Sequence, residues 1–171
     1  MLARQVPGLV CLTDYRRIEG VEVRPLLSRW PGWWAKMEAY GPMVPGDMLL
    51  MDLDTVVLEM PAMPAETTVL RDWLEPSVVN SSWVFATEAD RVRVWNRFVS
   101  DPGRHMAANN SWPNWGDQGF LQGVLGDAAK WGEEIRSYKV HCKDGVPAGT
   151  KVVCFHGKPR PWDLKEPLRV A

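Results

Sequence analysis

The segment from Met48 to Val57, Met-Leu-Leu-Met-Asp-Leu-Asp-Thr-Val-Val, constrains the fold more than any other stretch of the chain. Its apolar run, followed by β-branched residues, is too apolar to face water and reads as a buried strand. Asp52 and Asp54 stand at the C-terminal end of that strand. Helix-forming stretches alternate with it and with the other strand-like segments, so the expected fold class is α/β: a mixed, mostly parallel central sheet flanked by helices.

The remaining elements follow from local pattern. Gly8 to Thr13 reads as a buried strand and Val21 to Pro25 as a more exposed one. Trp33 to Tyr40 is made of good helix formers and ends at the Gly/Pro-rich Gly41 to Gly46. Prolines 61, 64 and 76 mark a loop region around the short Thr67 to Leu70 segment. Ser77 to Ala86 reads as a strand, and Asp90 to Val99 as an amphipathic helix with Val92, Val94, Trp95 and Phe98 apolar. Asp101 to Gly116 reads as a polar, tryptophan-bearing loop. A helix opens at Asp117 with Phe120, Leu121, Val124 and Leu125 on one face. Ile135 to Cys142 and Lys151 to Phe155 are the last strands, and Lys158 to Trp162 is extended.

Without a repeat, a low-complexity tract or a linker, all 171 residues are assigned to one domain with room for a hydrophobic core. A net charge of −1 argues against a broad basic surface, so neither nucleic acid nor an anionic membrane is an expected partner. The richest apolar stretch, Met48 to Met60, is broken by Asp52, Asp54 and Glu59, so no transmembrane segment is expected. Cys11, Cys142 and Cys154 have neither a disulfide framework nor a zinc spacing; with no visible signal peptide, a cytoplasmic setting is expected. Ten tryptophans against four phenylalanines and three tyrosines are the compositional oddity. Such rings either fill a core or line a cleft for a flat ligand such as a sugar ring or a base.

Residues i and i+2 of a strand share a face, so Asp52 and Asp54 are expected to aim together. Two carboxylates crowded this way are either ordinary strand-end aspartates or ligands of a divalent ion. His156 stands at the C-terminal end of another apolar strand, next to Gly157, where backbone can approach a ligand closely. Ligands bind outside the carboxyl ends of strands in open α/β sheets, and two carboxylates with one imidazole suit Mn²⁺ or Mg²⁺. Lys158 and Arg160 follow on a proline-flanked segment, as a solvated basic tail or as cations that neutralise a diphosphate. Asp117 and Gln118 read as a helix cap, or as a carboxylate and an amide suited to sugar hydroxyls. Asn80 and Ser81 form a polar pair between apolar neighbours and need partners if buried. Lys36, among Trp33, Trp34 and Met37, can reach outward or toward a phosphate.

Taken in order, five motifs, from a Trp-Ala-Lys helix through Met-Asp-Leu-Asp-Thr-Val-Val, Val-Val-Asn-Ser-Ser and Gly-Asp-Gln-Gly-Phe-Leu to Phe-His-Gly-Lys-Pro-Arg-Pro-Trp, cover about Leu9 to Trp162. The series resembles the retaining GT-A glycosyltransferases of family eight, the glycogenin and lipopolysaccharide galactosyltransferase type. The resemblance implies Mn²⁺-dependent transfer of a sugar from a nucleotide-diphosphate donor, usually a uridine one, to a glycan or glycoconjugate acceptor. It makes Asp52, Asp54 and His156 the metal ligands and places Gly157 and Arg160 against the diphosphate. It makes Asp117 and Gln118 the pair at the reacting face of the donor sugar, Asn80 a donor-sugar asparagine, and Lys36 a basic residue near the donor. Ser82 stands where the family has glycine, and Arg160 where it usually has lysine. The family also begins with a strand–helix unit of about 30 residues for the base, for which this sequence shows no counterpart. The expectation is therefore an N-terminally shortened enzyme, or one whose base pocket is completed by a partner or a second copy. A non-catalytic nucleotide-sugar or carbohydrate-binding remnant is the alternative from another class, and a metal-dependent phosphohydrolase the third.

Overall fold

The structure is a computed structural model that describes Val6, residues 8–166 and Leu168. The first two strands, β1 (Val10–Thr13) and β2 (Glu22–Pro25), pair in parallel, with β2 the more exposed, as its alternating sequence predicts. The expected helix over Trp33 to Tyr40 is present as a 3-10 helix, Gly32–Tyr40, with Met37 and Tyr40 fully buried. Glu38 in it accepts backbone N–H groups from Leu27 (2.5 Å) and Ser28 (2.8 Å), which ties the incoming loop to the helix.

The Met48–Val57 segment is two strands, not one. β3 (Met48–Met51) ends at Asp52, the chain turns, and β4 (Thr55–Val57) enters a different sheet. β3 belongs to a four-stranded sheet of order β3-β6-β5-β9, with β5 (Thr68–Arg71), β6 (Val79–Ala86) and β9 (Ala129–Lys130). β4 closes a three-stranded sheet of order β10-β11-β4, with β10 (Ile135–Ser137) and β11 (Val152–Cys154). The α/β class is thus present, but the mostly parallel central sheet is corrected. In the larger sheet β3 and β5 both run antiparallel to β6 and only β5 and β9 are parallel; in the smaller one β10 and β11 are parallel and β4 is antiparallel.

The larger sheet is apolar on both faces, which is why its strands look so uniform in sequence. Met48 and Leu50 join one cluster with the 3-10 helix, α1 (Glu88–Val99) and α3 (Gly116–Leu125). Leu49 and Met51 point the other way and pack with Val57, Ile135, Val152 and Cys154 of the small sheet. Along β6 this alternation is interrupted: the ladder with β5 steps from Val69↔Val84 directly to Leu70↔Asn80. Val79 therefore faces the helices together with Val84 and Ala86, while Trp83 faces the small sheet.

Several local expectations are corrected. The 101–116 stretch is not a plain loop but α2 (Pro102–Ala108) and a hairpin of β7 (Asn110–Ser111) and β8 (Asn114–Trp115). Asp101 starts α2 by accepting the Arg104 N–H at 3.0 Å, with proline in the first turn, a helix-start signal. Strand geometry stops at Ser137, and Tyr138–Cys142 is a short π-helix in which Tyr138 stacks on Phe155. After Arg160 the tail turns into a 3-10 helix, Pro161–Asp163. The cysteines are unpaired, Cys142 and Cys154 buried and Cys11 partly so. Trp34 and Trp83 are core residues, whereas Trp33, Trp112, Trp115 and Trp162 are exposed. Among the described residues no helix is long and apolar enough to cross a membrane.

Candidate functional site

Asp52 and Asp54 sit in the turn between the two sheets. The Asp52 N–H donates to the Ser82 carbonyl (2.9 Å), Thr55 N–H closes the turn on the Asp52 carbonyl (3.2 Å), and the Asp54 carbonyl accepts from Phe155 N–H (3.1 Å). The same-face argument for a continuous strand therefore does not apply to this pair. What holds them is the seam between β6 and the end of β11.

Each carboxylate already has a cation. Lys36 Nζ lies 2.6 Å from Asp52 Oδ1, and Arg160 forms an ion pair with the buried Asp54. Lys36 also reaches Ser81 Oγ at 3.2 Å and Asp117 Oδ2 at 3.4 Å. Asp117 is buried, with Lys36 at ion-pair distance from its Oδ2. It is not the cap of its helix; Trp115 holds that position and makes no side-chain cap bond, which corrects the helix-cap reading. Burial pushes the Asp117 carboxyl above its ordinary value, against the pull of Lys36 and the Ser81 hydroxyl. Burial alone would lower the Lys36 ammonium, but Asp117 and Asp52 outweigh it and hold it above its ordinary value, so it is charged at neutral pH. The buried Tyr40 hydroxyl, without a partner, is also driven upward, by burial first and then by Asp117 and Asp52.

Asp72 ties together the second half of the site, and sequence reading missed it. Its Oδ2 accepts from the Asn80 amide at 3.0 Å and from the Gln118 amide at 3.4 Å, and its Oδ1 accepts the Leu74 and Glu75 N–H groups. Asn80 in turn accepts the Ser82 N–H at 2.9 Å. The only sequence signal at Asp72 is its place after a short apolar strand, the same signal that marked Asp52.

His156 follows β11 just as Asp54 precedes β4, and the antiparallel register places Cys154 opposite Thr55, so both residues stand at the same end of that ladder. Its ring lies parallel to Trp73 (centroids 5.7 Å apart), and its Nε2 is 2.7 Å from Ser137 Oγ. Burial, then Lys139, lower its pKa against the opposing charge of Asp72, which favours the neutral imidazole. Gly157 adopts φ +71°, and a Cβ there would lie 2.9 Å from Lys139 Nζ, so glycine admits that ammonium to the backbone. Lys139 is a second residue missed from sequence, because a strand was expected where the π-helix turns it. Lys158 is exposed.

The structure thus brings Lys36, Asp52, Ser81 and Asp117 into contact, joins Asn80 and Gln118 through Asp72, and sets Asp54 with Arg160 at the neighbouring ladder end. It does not gather Asp52, Asp54 and His156 as ligands. Among the described residues no three His, Cys, Asp or Glu side chains stand close enough to share an ion. The donor chemistry still suits a hard divalent ion, and the two carboxylates are already charge-compensated by cations. No family model and no curated protein matches this chain.

Proposed function

We propose that this chain is a metal-dependent glycosyltransferase of GT-A-like fold, moving a sugar from a nucleotide-diphosphate donor, uridine-linked by resemblance, to a glycan or glycoconjugate acceptor with retention. One observation carries the reading. Five segments distant in sequence deliver Lys36, Asp52, Asp72, Asn80–Ser81 and Asp117–Gln118 to a single polar seam, where apolar packing would otherwise continue. A buried carboxylate is costly to keep even beside Lys36 and Ser81, and a polyhydroxylated ligand would add a further donor.

In this reading Asp52, Asp54 and His156, which the structure does not gather on its own, would come together to hold Mn²⁺ or Mg²⁺, and the ion would supply charge stabilisation to a departing diphosphate. Arg160, paired with Asp54 in this structure, would turn to the phosphate oxygens, with Lys158 and Gly157 alongside. Lys36 opposes the upward push of burial on the Asp117 carboxyl, Gln118 and Asn80 present amides to the hydroxyls of the donor sugar, and Asp72 fixes both amides in orientation. The unpaired cysteines suit a reducing, cytoplasmic setting.

The second reading, a nucleotide-sugar or carbohydrate-binding remnant, is favoured by one observation: the carboxylates are neutralised by the chain's own Lys36 and Arg160. Thermal shift and turnover across a nucleotide-sugar panel, with and without Mn²⁺, separate the two. Metal-dependent stabilisation by a nucleotide sugar that is lost in Asp54→Ala supports the transferase. Stabilisation by free sugar with no metal effect supports the binding module, and rapid nucleotide release without acceptor supports a hydrolase.

A further inference from the structure

Trp33 is 61% exposed although it belongs to a helix whose neighbouring Trp34 is buried. Side chains three apart in a 3-10 helix eclipse one another, so Trp33 stands in line with Lys36, one turn further out. Lys36 meets Asp117, and Trp33 lies on Gly116, the residue just before it; a Cβ at Gly116 would come within 2.9 Å of the indole Cε3. Gly116 has φ +56°, so both its backbone and its missing side chain fit glycine. The indole thus packs on the Gly116 backbone while Trp33 stays mostly exposed, at the residue that leads into Asp117 and Gln118.

The surround has a distinct chemistry. The β7–β8 hairpin leads directly into Gly116, and its Asn109 and Asn114 crowd against Gly119 of α3, which fixes it across the start of that helix. It presents Asn110, Ser111, Trp112, Asn114 and Trp115 to solvent, all uncharged. Flat apolar faces interleaved with neutral amides and a hydroxyl match a pyranose, whose C–H face stacks while its rim hydrogen-bonds. They offer nothing to the charges of a phosphate or a lipid headgroup.

We propose that Trp33, seated over Gly116 at the mouth of the Asp117–Gln118 seam, is a stacking platform for a neutral oligosaccharide. The identification of that oligosaccharide as the acceptor rests on the transferase reading above; the platform does not.

The test measures binding of maltohexaose, cellohexaose and lactose by titration calorimetry in EDTA, and of UDP with Mn²⁺ separately, on the full chain. The expected result is that at least one oligosaccharide binds and that Trp33→Ala weakens it by roughly tenfold or more. Trp33→Phe keeps most of the affinity and Trp33→Leu, apolar but not flat, loses it. All three variants hold UDP with Mn²⁺ as the wild type does. Because the ring is mostly exposed, the variants should fold; Trp33→Phe against Trp33→Leu decides the matter if the alanine variant does not. The proposal is overturned if no probe binds the wild type, if Trp33→Leu binds as well as Trp33→Phe, or if Trp33→Leu loses UDP instead, which would make the platform a base site. Trp33-dependent oligosaccharide binding in a protein that never binds UDP supports the platform while refuting the transferase.

Discussion

Lys36→Met tests the electrostatic core of the site most directly. The substitution keeps the apolar stem among Trp34 and Met37 but leaves Asp117, 3% exposed, without its nearby cation. Stranding a buried charge in this way costs about 3–5 kcal/mol. The carboxyl limits that loss by taking up a proton, so the cost depends on pH. The Asp117 carboxyl already holds its proton more tightly in the folded state than in the unfolded chain, so its contribution to stability is fullest at acid pH and declines as pH rises through the raised value. Removing Lys36 raises that value further, and each further tenfold tightening of the proton costs about 1.4 kcal/mol once the pH lies above the new value. Urea unfolding at pH 5 and pH 8 should therefore show a small loss at the lower pH and several times that loss at the higher one. Asp117→Asn in the same background should restore most of the deficit. A loss of equal size at both pH values, or no recovery in the double variant, would show that Lys36 matters by packing and not by compensating Asp117.

Arg91, whose side chain is 4% exposed, donates to the carbonyls of Tyr40 (2.9 Å), Gly41 (2.7 Å) and Gly46 (3.0 Å) at the end of the 3-10 helix. Arg91→Met should cost about 3 kcal/mol in urea unfolding, with little rescue by lysine, which lacks the planar fork. Phe98, fully buried against Trp30, Trp34 and Phe120, should cost about 3–5 kcal/mol as alanine, measured the same way, and much less as leucine. Asp90 is held below its ordinary value by the Thr67 hydroxyl first, against some burial, with Arg93 assisting. Its stabilisation is present above the ordinary carboxylate range and declines as pH falls below it, so Asp90→Asn should cost about 1 kcal/mol at neutral pH and less in acid, measured by urea unfolding.

The sequence made the framework readable where one physical pressure dominated. β1, β11, α1 and α3 were legible because apolar burial sets their pattern, and β6 was legible as a strand although its alternation is interrupted at Ser81–Trp83. The turn at Asp52–Asp54 was not, because Leu53 between two carboxylates continues an alternating pattern while the backbone in fact leaves one sheet for another. Asp117 was recognisable as a residue with a role but not in its geometry: its helix starts one residue earlier, which turns the carboxylate inward to Lys36. Asp72 and Lys139 were invisible because their significance lies wholly in partners far along the chain, Asn80 and Gln118 for one and the Gly157 backbone for the other. The Lys36 and Arg160 pairings with the two aspartates were likewise beyond any spacing argument, since local pattern does not say which distant cation folds back onto a carboxylate.

The skipped step in the β5–β6 ladder has a consequence for how this chain tolerates change in length. On either side of Ser81–Trp83 the strand obeys opposite parities, odd positions turning to the helices before it and even ones after it. The ladder skips three residues, Ser81, Ser82 and Trp83, and deleting one of them would invert one parity, rotating Val84 and Ala86 out of the helical core or carrying Asn80 and Ser81 away from Asp72 and Lys36. The irregularity acts as a phase shifter between the scaffold half of the strand and its polar half, so length variants that remain folded should cluster in the surface loops and spare this stretch.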